Sequence, residues 1–229
     1  MPPSKEQYDS STLLKNVQLI LFLLITLVLM IQGWGDRGGF LHHPARAGFL
    51  AVFALSVLFL LFVPFTLFGE GDKEIPRQRW LTYGAVGVVG GLCWYLPYAD
   101  RYSHFVWPEN EILRYGGLVA TTLGMAVRIT CMAQLGRLFS GFVTVQHQHV
   151  LISTGAYRWV RHPIYAGSLL AFAGFFLIFR SKLILIAFPL YLLGTLWRIV
   201  DEERLLAEVF GKEYKRYQAR TWRLFPFIY

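Results

Sequence analysis

Long runs without a charged residue fill most of the first hundred positions of the chain. They cover residues 16–35, 47–69 and 80–99, and each contains at least 20 residues. A helix of 20 residues rises about 30 Å, the thickness of a bilayer's hydrocarbon core, so each run predicts a membrane-spanning helix. Residues 112–136 predict a fourth span that contains Arg128. This arginine either faces a polar cavity or lies near the edge of the membrane.

The last part of the chain has shorter apolar runs. Residues 164–179 and 183–197 are apolar and are joined by Arg180-Ser181-Lys182. As helices they reach only about 23–24 Å, so this hairpin either crosses thinned lipid or does not cross fully. From Arg198 onward the pattern is charged with an apolar stripe, which predicts that the second helix leaves the bilayer and continues in water up to Gly211 or beyond.

These patterns predict an all-α, polytopic integral membrane bundle of about five to six spans. Residues 1–136 are expected to form about four of them, and residues 137–229 a C-terminal region with the hairpin and a cytoplasmic helix. Gly87 and Gly91 have the spacing of a close-packing surface between membrane helices. The composition agrees, because 55% of the 229 residues are hydrophobic and 16% are charged. Soluble enzymes, disulfide scaffolds and disordered proteins are thereby excluded.

The charge distribution predicts the orientation in the membrane. The net charge is +8, and Lys and Arg are most frequent in the C-terminal tail. The positive-inside rule places the N-terminus, residues 137–163 and the C-terminus in the cytoplasm. No basic stretch is separable from the spans, which argues against nucleic-acid binding. Cys93 and Cys131 lie in apolar runs and are expected to be buried free thiols.

Polar side chains suited to chemistry occur in two segments, residues 154–167 and 198–203. They flank the hairpin at its two cytoplasmic ends, so the hairpin is expected to bring them together in a pocket facing the cytoplasm. Arg161 either anchors to phosphate headgroups or lines this pocket. His162 precedes Pro163, which suits a first helical position, so His162 is either a cap, a hydrogen-bond donor or a catalyst.

The second segment allows two interpretations. Arg198 and Glu202 are four residues apart and either form a solvated pair on one helix face or point into the pocket. Glu202 and Glu203 are adjacent, so at most one of them faces inward with Arg198. His147, His149 and His162 have no fixed carboxylate or cysteine partner, and we predict no metal site.

Both segments resemble the signature of a known family. Residues 149–167 read HVLISTGAYRWVRHPIYAG, and the tail contains RIVDEE from Arg198, FGKEY from Phe210, Tyr217, Arg220 and Pro226-Phe227-Ile228. In this order around a short apolar hairpin, they resemble the isoprenylcysteine carboxyl methyltransferase family. The wider group includes phospholipid N-methyltransferases and a methanethiol S-methyltransferase. The resemblance implies methyl transfer from S-adenosylmethionine, bound without a Rossmann domain.

The resemblance also implies roles for individual residues. Cofactor contacts are expected at Gln146, His149, Val150, Leu151, Ile152, Tyr157, His162, Pro163, Tyr165 and Glu202. Arg198 matches the position that holds the substrate carboxylate. The candidate catalytic residues are Arg161, Arg198 and Glu203.

The resemblance leaves the methyl acceptor and the oligomeric state open. The acceptor is expected to be a lipid or a lipidated small substrate with a carboxylate, and the alternatives are a phospholipid amine or a small thiol. A non-catalytic transporter or assembly factor is the alternative outside enzymes. The chain has no internal repeat of the kind that transporters usually contain.

Overall fold

The computed structural model describes residues 5–65, 73–74, 76–140, 144–145 and 151–227, and the side chains of residues 12–65, 80–140 and 151–227. These ranges contain eight α-helices: α1 (Lys5–Trp34), α2 (Arg37–His42), α3 (Pro44–Leu61), α4 (Pro76–Arg101), α5 (Glu111–Leu135), α6 (Pro163–Ile178), α7 (Ile184–Phe210) and α8 (Lys212–Gln218). Two short strands, β1 (Lys73–Glu74) and β2 (Thr144–Val145), pair antiparallel. The predicted helical class is confirmed.

The ends of the long helices follow the sequence pattern closely. α1 ends at Trp34, and α7 continues past the apolar run to Phe210, as predicted. Gly211 then has a φ of 53°, a conformation that glycine adopts without strain, and the chain turns there into α8. The glycine-rich connection after α1 differs from the prediction, because the Asp36 carboxylate accepts the Gly39 N–H and caps the short helix α2.

Length and composition identify the protein as an integral membrane protein. Four helices among the described residues are long and apolar enough to cross a bilayer: Thr12–Trp34, Pro44–Leu61, Glu111–Leu138 and Ile184–Phe210. Large apolar side chains on these helices, such as Leu24, Leu58 and Leu190, are exposed. Such surfaces suit contact with lipid. α6 is shorter, and the expected number of five to six spans stays a prediction.

Helices α5 and α6 pack through glycines. A Cβ atom on Gly124 would lie 2.4 Å from the Ala171 backbone nitrogen, and one on Gly117 would lie 2.7 Å from the Gly174 carbonyl oxygen. The two backbones are therefore in direct contact, as is common where small residues meet in membrane proteins. Arg128 of α5 also donates to the Ser168 hydroxyl of α6 at 2.6 Å, which gives this charged side chain a polar partner inside the bundle.

The prediction that α4 packs closely against another helix through its glycines is wrong for the described residues. Cβ atoms on Gly87 and Gly91 would meet nothing within 4 Å. The spacing of small residues indicates that a helix can pack closely, but it does not say which helix will face it. Both cysteines are buried and free, as predicted.

A buried cluster of charges connects four parts of the bundle at the far end of α6. Asp100 lies in the last turn of α4. Its carboxylate accepts hydrogen bonds from Arg114 at 2.8 and 3.0 Å and from Arg180 at 2.8 Å. Arg46 lies 3.4 Å from the same carboxylate. Arg114 also donates to the Ile178 carbonyl at 2.7 Å, where α6 ends. The cluster thereby fixes the end of α6 opposite to His162.

The buried side chain of Lys15 is expected to stabilise the end of α3. This side chain is 4% exposed, and its ammonium donates to the carbonyls of Leu60, Leu61 and Val63 at the end of α3. A cation there pairs with the carbonyl end of the helix dipole. Lys15→Met is expected to lower the free energy of unfolding by about 1–3 kcal/mol. Thermal unfolding of the purified protein in detergent measures the change.

Lys212 provides the control for this substitution because it is an exposed lysine on α8. Lys212→Met is expected to shift the unfolding temperature by much less than Lys15→Met. Equal shifts for the two variants would show that the ammonium of Lys15 does not stabilise the end of α3.

Candidate active site

The hairpin of α6 and α7 brings the two polar segments together, as the sequence predicted. α6 begins at Pro163, directly after Arg161 and His162, and α7 passes this point at Glu202 and Glu203. The Arg161 guanidinium donates to the Glu203 carboxylate over 2.8 Å. Residues 42 positions apart in the chain thus meet at one end of the hairpin.

Glu203 is the centre of a buried network. Its carboxylate lies 3.3 Å from His162 Nε2 and 2.8 Å from Arg223 Nη2, in addition to its contact with Arg161. Arg161 further donates to the carbonyls of Gln218 and Thr221. These partners all belong to the protein, so the network joins the loop before α6 to α7 and to the C-terminal tail.

The tail pairs with this loop through its backbone. The N–H groups of Arg161 and His162 donate to the carbonyls of Trp222 and Arg223 at 2.8 and 3.1 Å. Trp222 N–H donates in turn to the Trp159 carbonyl at 2.9 Å. This contact has no signal in the sequence, because a parallel pairing of two or three residues leaves no periodic pattern of apolar positions.

A second network lies beside the first and centres on Tyr165. The Tyr165 hydroxyl donates to Glu202 Oε2 at 2.7 Å and accepts from Arg198 Nε at 2.8 Å. Arg198 Nη1 also donates to the hydroxyl of Thr82 on α4 at 2.8 Å. Arg198 and Glu202 are therefore linked through a tyrosine hydroxyl. Thr82 was not predicted, because nothing in its local sequence points to a partner 116 positions away.

The two glutamates differ in accessibility. The side chain of Glu202 is 32% exposed, whereas that of Glu203 is 6% exposed. The ring of His162 stacks on Tyr165 with centroids 5.7 Å apart. His162 Nδ1 lies 3.9 Å from Glu202, and its side chain does not cap α6. Glu202, Tyr165 and His162 together present a carboxylate, a hydroxyl and two rings on one side of the site.

Tyr157 lies against α5, behind the loop. Its hydroxyl is 3.5 Å from the Cys131 carbonyl, and Tyr217 donates to its backbone carbonyl at 2.7 Å. Burial raises the pKa of the Tyr157 phenol above its ordinary value and that of Tyr217 to about 12, so both are neutral at pH 7. Among the other candidate cofactor residues, Leu151 and Ile152 precede Tyr157 in an irregular segment, and Ile152 packs on the same core. Gln146, His149 and Val150 lie outside the described residues.

The central residues of the two networks, Glu203 and Tyr165, lie within the part of the chain that is similar to a known family, whereas Arg223 and Thr82 lie outside it. Residues 117–208 match the model of the isoprenylcysteine carboxyl methyltransferase (ICMT) family. The match covers fewer than half of the 229 residues, and over this segment the chain is similar to the isoprenylcysteine carboxyl methyltransferase family. The resemblance seen in the sequence is thereby confirmed, and the match covers Arg161, Arg198 and both glutamates.

Curated relatives in this family carry related names. A probable protein-S-isoprenylcysteine O-methyltransferase of Oryza sativa subsp. indica is 34% identical over 127 residues, which is 52% of this chain and 64% of the relative. The Saccharomyces cerevisiae protein-S-isoprenylcysteine O-methyltransferase is 32% identical over 140 residues, which is 54% of this chain and 57% of the length of that enzyme. For the Homo sapiens enzyme the identity is 29%, over 55% of this chain and 46% of the relative. The chain thus spans about half to two thirds of the length of these relatives.

A solved structure has the same fold. The eukaryotic intramembrane Ras methyltransferase of the isoprenylcysteine carboxyl methyltransferase family superposes with a TM-score of 0.51 at 23% identity. The superposition covers 90% of this chain and 74% of the other. At this level of identity the likeness concerns the fold. It extends over more of the N-terminal helices than the family match does.

Proposed function

We propose that this protein is an integral membrane methyltransferase that esterifies a carboxylate carried by an isoprenylated or otherwise lipidic substrate, with S-adenosylmethionine as methyl donor. The observation that carries the proposal is the chain Arg198–Tyr165–Glu202, in which one hydroxyl joins an arginine to a partly exposed carboxylate. A cation for the acceptor and an anion for the donor thus lie side by side. The names of the family relatives support the same reaction.

The donor half of the site comprises the residues that the family resemblance implied: Gln146, His149, Val150, Leu151, Ile152, Tyr157, His162, Pro163, Tyr165 and Glu202. The described members fit such a molecule chemically. Glu202 offers a reachable carboxylate to a hydroxyl or cationic group, and the rings of His162 and Tyr165 offer flat surfaces. When bound, S-adenosylmethionine supplies a methyl group attached to a positively charged sulfur.

Arg198 forms the acceptor half of the site. A carboxylate is already ionised at pH 7, so it requires orientation and no general base. A planar guanidinium orients a carboxylate well, through two parallel hydrogen bonds. Tyr165 and Thr82 hold Arg198 at two different nitrogens. An ammonium acceptor is disfavoured beside this arginine, because two like charges repel.

Arg161 and Glu203 have a positioning role in this proposal. Both were candidate catalytic residues, and both bind groups of the protein itself. Their ion pair holds the loop that begins α6 against α7, so that His162 and Tyr165 face Glu202. The excess of Lys and Arg in the tail supports a cytoplasmic position for this pocket and for both termini.

A labelling experiment tests the proposal. The full chain in membranes is incubated with S-adenosylmethionine carrying a radioactive methyl group and with a farnesylated cysteine that has a free carboxylate. The expected product releases its label in mild base, as a methyl ester does. The matching farnesylated cysteine amide, which lacks the carboxylate, is expected to stay unlabelled.

Two results would contradict the proposal. A label that is stable in base would indicate an amine or thiol acceptor. No label at all, together with no binding of S-adenosylhomocysteine in calorimetry, would favour a non-catalytic membrane protein.

A further inference from the structure

Thr82 contacts Arg198 from outside the segment that matches the family. It lies near the start of α4, 35 positions before the family match begins at residue 117. Its hydroxyl oxygen is 2.8 Å from Arg198 Nη1, and both side chains are half-buried. The next residues of α4 are exposed, and a Cβ atom on its middle glycines would meet nothing within 4 Å among the described residues. The contact is thus a point where this part of α4 reaches α7.

The orientation of a guanidinium plane depends on more than one contact. The guanidinium group lies at the end of the long, flexible Arg198 side chain. A single hydrogen bond at Nε leaves the plane of this group free to rotate about that bond. A second bond at Nη1, from an atom on another helix, fixes the plane. Tyr165 of α6 supplies the first contact, and Thr82 of α4 supplies the second. Arg198 is therefore held between two helices before an acceptor arrives.

We propose that Thr82 is a positioning residue for the acceptor: its hydroxyl holds the Arg198 guanidinium in the plane that receives the substrate carboxylate. This inference rests on the proposed function of Arg198. It assigns part of the acceptor site to the N-terminal helices, whose contribution neither the sequence motifs nor the family match describes.

The chemistry of a hydroxyl suits this role. A neutral oxygen accepts a hydrogen bond from the guanidinium and leaves its charge available to a carboxylate. An aspartate at the same position would pair with Arg198 and compete with the substrate. Valine has the shape of threonine but lacks the acceptor, whereas serine retains it. These three substitutions therefore separate shape, hydrogen bonding and charge.

Binding measurements on the purified full chain test the inference without relying on turnover. With S-adenosylhomocysteine present, the wild-type protein is expected to bind the farnesylated cysteine acid more tightly than its amide. Thr82→Val is expected to weaken binding of the acid about tenfold and to leave binding of the amide unchanged. Thr82→Asp is expected to weaken binding of the acid further, and Thr82→Ser to restore most of it.

The affinity for S-adenosylhomocysteine and the unfolding temperature provide readouts that a merely structural role would move. Both are expected to stay within error of wild type in Thr82→Val. Thr122→Val is the matched control, because Thr122 is an exposed threonine on α5 whose hydroxyl donates to the Leu118 carbonyl of its own helix. It is expected to bind acid and amide as wild type does.

Each outcome decides one question. If the wild-type protein does not distinguish acid from amide, the proposed role of Arg198 fails and the role of Thr82 fails with it. If the wild type prefers the acid and Thr82→Val has the same preference, only the role of Thr82 is overturned. If Thr82→Val weakens binding of the acid, the amide and S-adenosylhomocysteine equally, the substitution disturbs the fold in general, and the positioning role of Thr82 is overturned.

Discussion

Asp100→Asn is expected to destabilise the fold more than any other single conservative change, by about 3–5 kcal/mol. The Asp100 carboxylate has no solvent exposure and faces Arg46, Arg114 and Arg180. Removing its charge leaves these buried guanidinium groups without their shared anion, and the desolvation of arginine is then poorly compensated. Denaturant unfolding of the purified protein in detergent, followed by tryptophan fluorescence, measures the change.

Glu109→Gln is the matched control, since Glu109 contacts Arg114 and Arg180 but its side chain is 56% exposed. Solvent screens this pair, so the expected loss is at most about 1 kcal/mol. The hydrogen bond from Arg114 helps to lower the pKa of Glu109 to about 2. Its contribution is therefore present above about pH 4.5 and is lost as the pH falls toward 2. Equal losses of stability in Asp100→Asn and Glu109→Gln would contradict the prediction that the buried charge of Asp100 stabilises the fold more than an exposed one.

Arg198→Ala is expected to reduce methyl-ester formation by at least about a hundredfold. In the proposed site the acceptor carboxylate then loses the guanidinium that orients it, while Glu202 and His162, the proposed donor contacts, are unchanged. The affinity for S-adenosylhomocysteine is consequently expected to change little. Steady-state assays with the farnesylated cysteine and calorimetry with S-adenosylhomocysteine measure the two quantities separately.

Two further variants sharpen this prediction. Arg204→Ala removes an exposed arginine from the same helix and is expected to leave turnover near the wild-type rate. Arg198→Lys keeps the positive charge but loses the planar group, and an intermediate rate is expected. Unchanged turnover in Arg198→Ala would refute the role of this residue as the acceptor's cation.

Hydropathy predicted the long helices because each one had to be apolar over nearly its whole length. The same signal could not identify α2, since Gly38 and Gly39 are typical of a loop and a single carboxylate, Asp36, caps the helix. The spacing of small residues likewise pointed to glycines on α4, whereas the close helix contact among the described residues uses those of α5 and α6. Which faces meet is decided by the fit of whole helices and is not encoded in the spacing within one of them.

In the candidate site, too, one part could be predicted from the sequence and another could not. The convergence of Arg161 with Glu203 followed from the hairpin, because its two ends must lie together. The choice of partners did not follow, since Arg198 could pair with Glu202 directly or through another group. Tyr165 lies between them in the structure. Thr82 comes from a helix remote in sequence, and such contacts depend on the tertiary arrangement alone.

The position of α6 has a consequence for the host membrane. Its 16 residues are screened by neighbouring helices, and Leu170 is the one side chain of this helix that is exposed. A helix surrounded by protein does not need to match the thickness of the acyl chains. The start of α6, where the candidate site lies, is therefore held by protein contacts more than by lipid, and the thickness of the acyl chains constrains the exposed helices before it constrains this one.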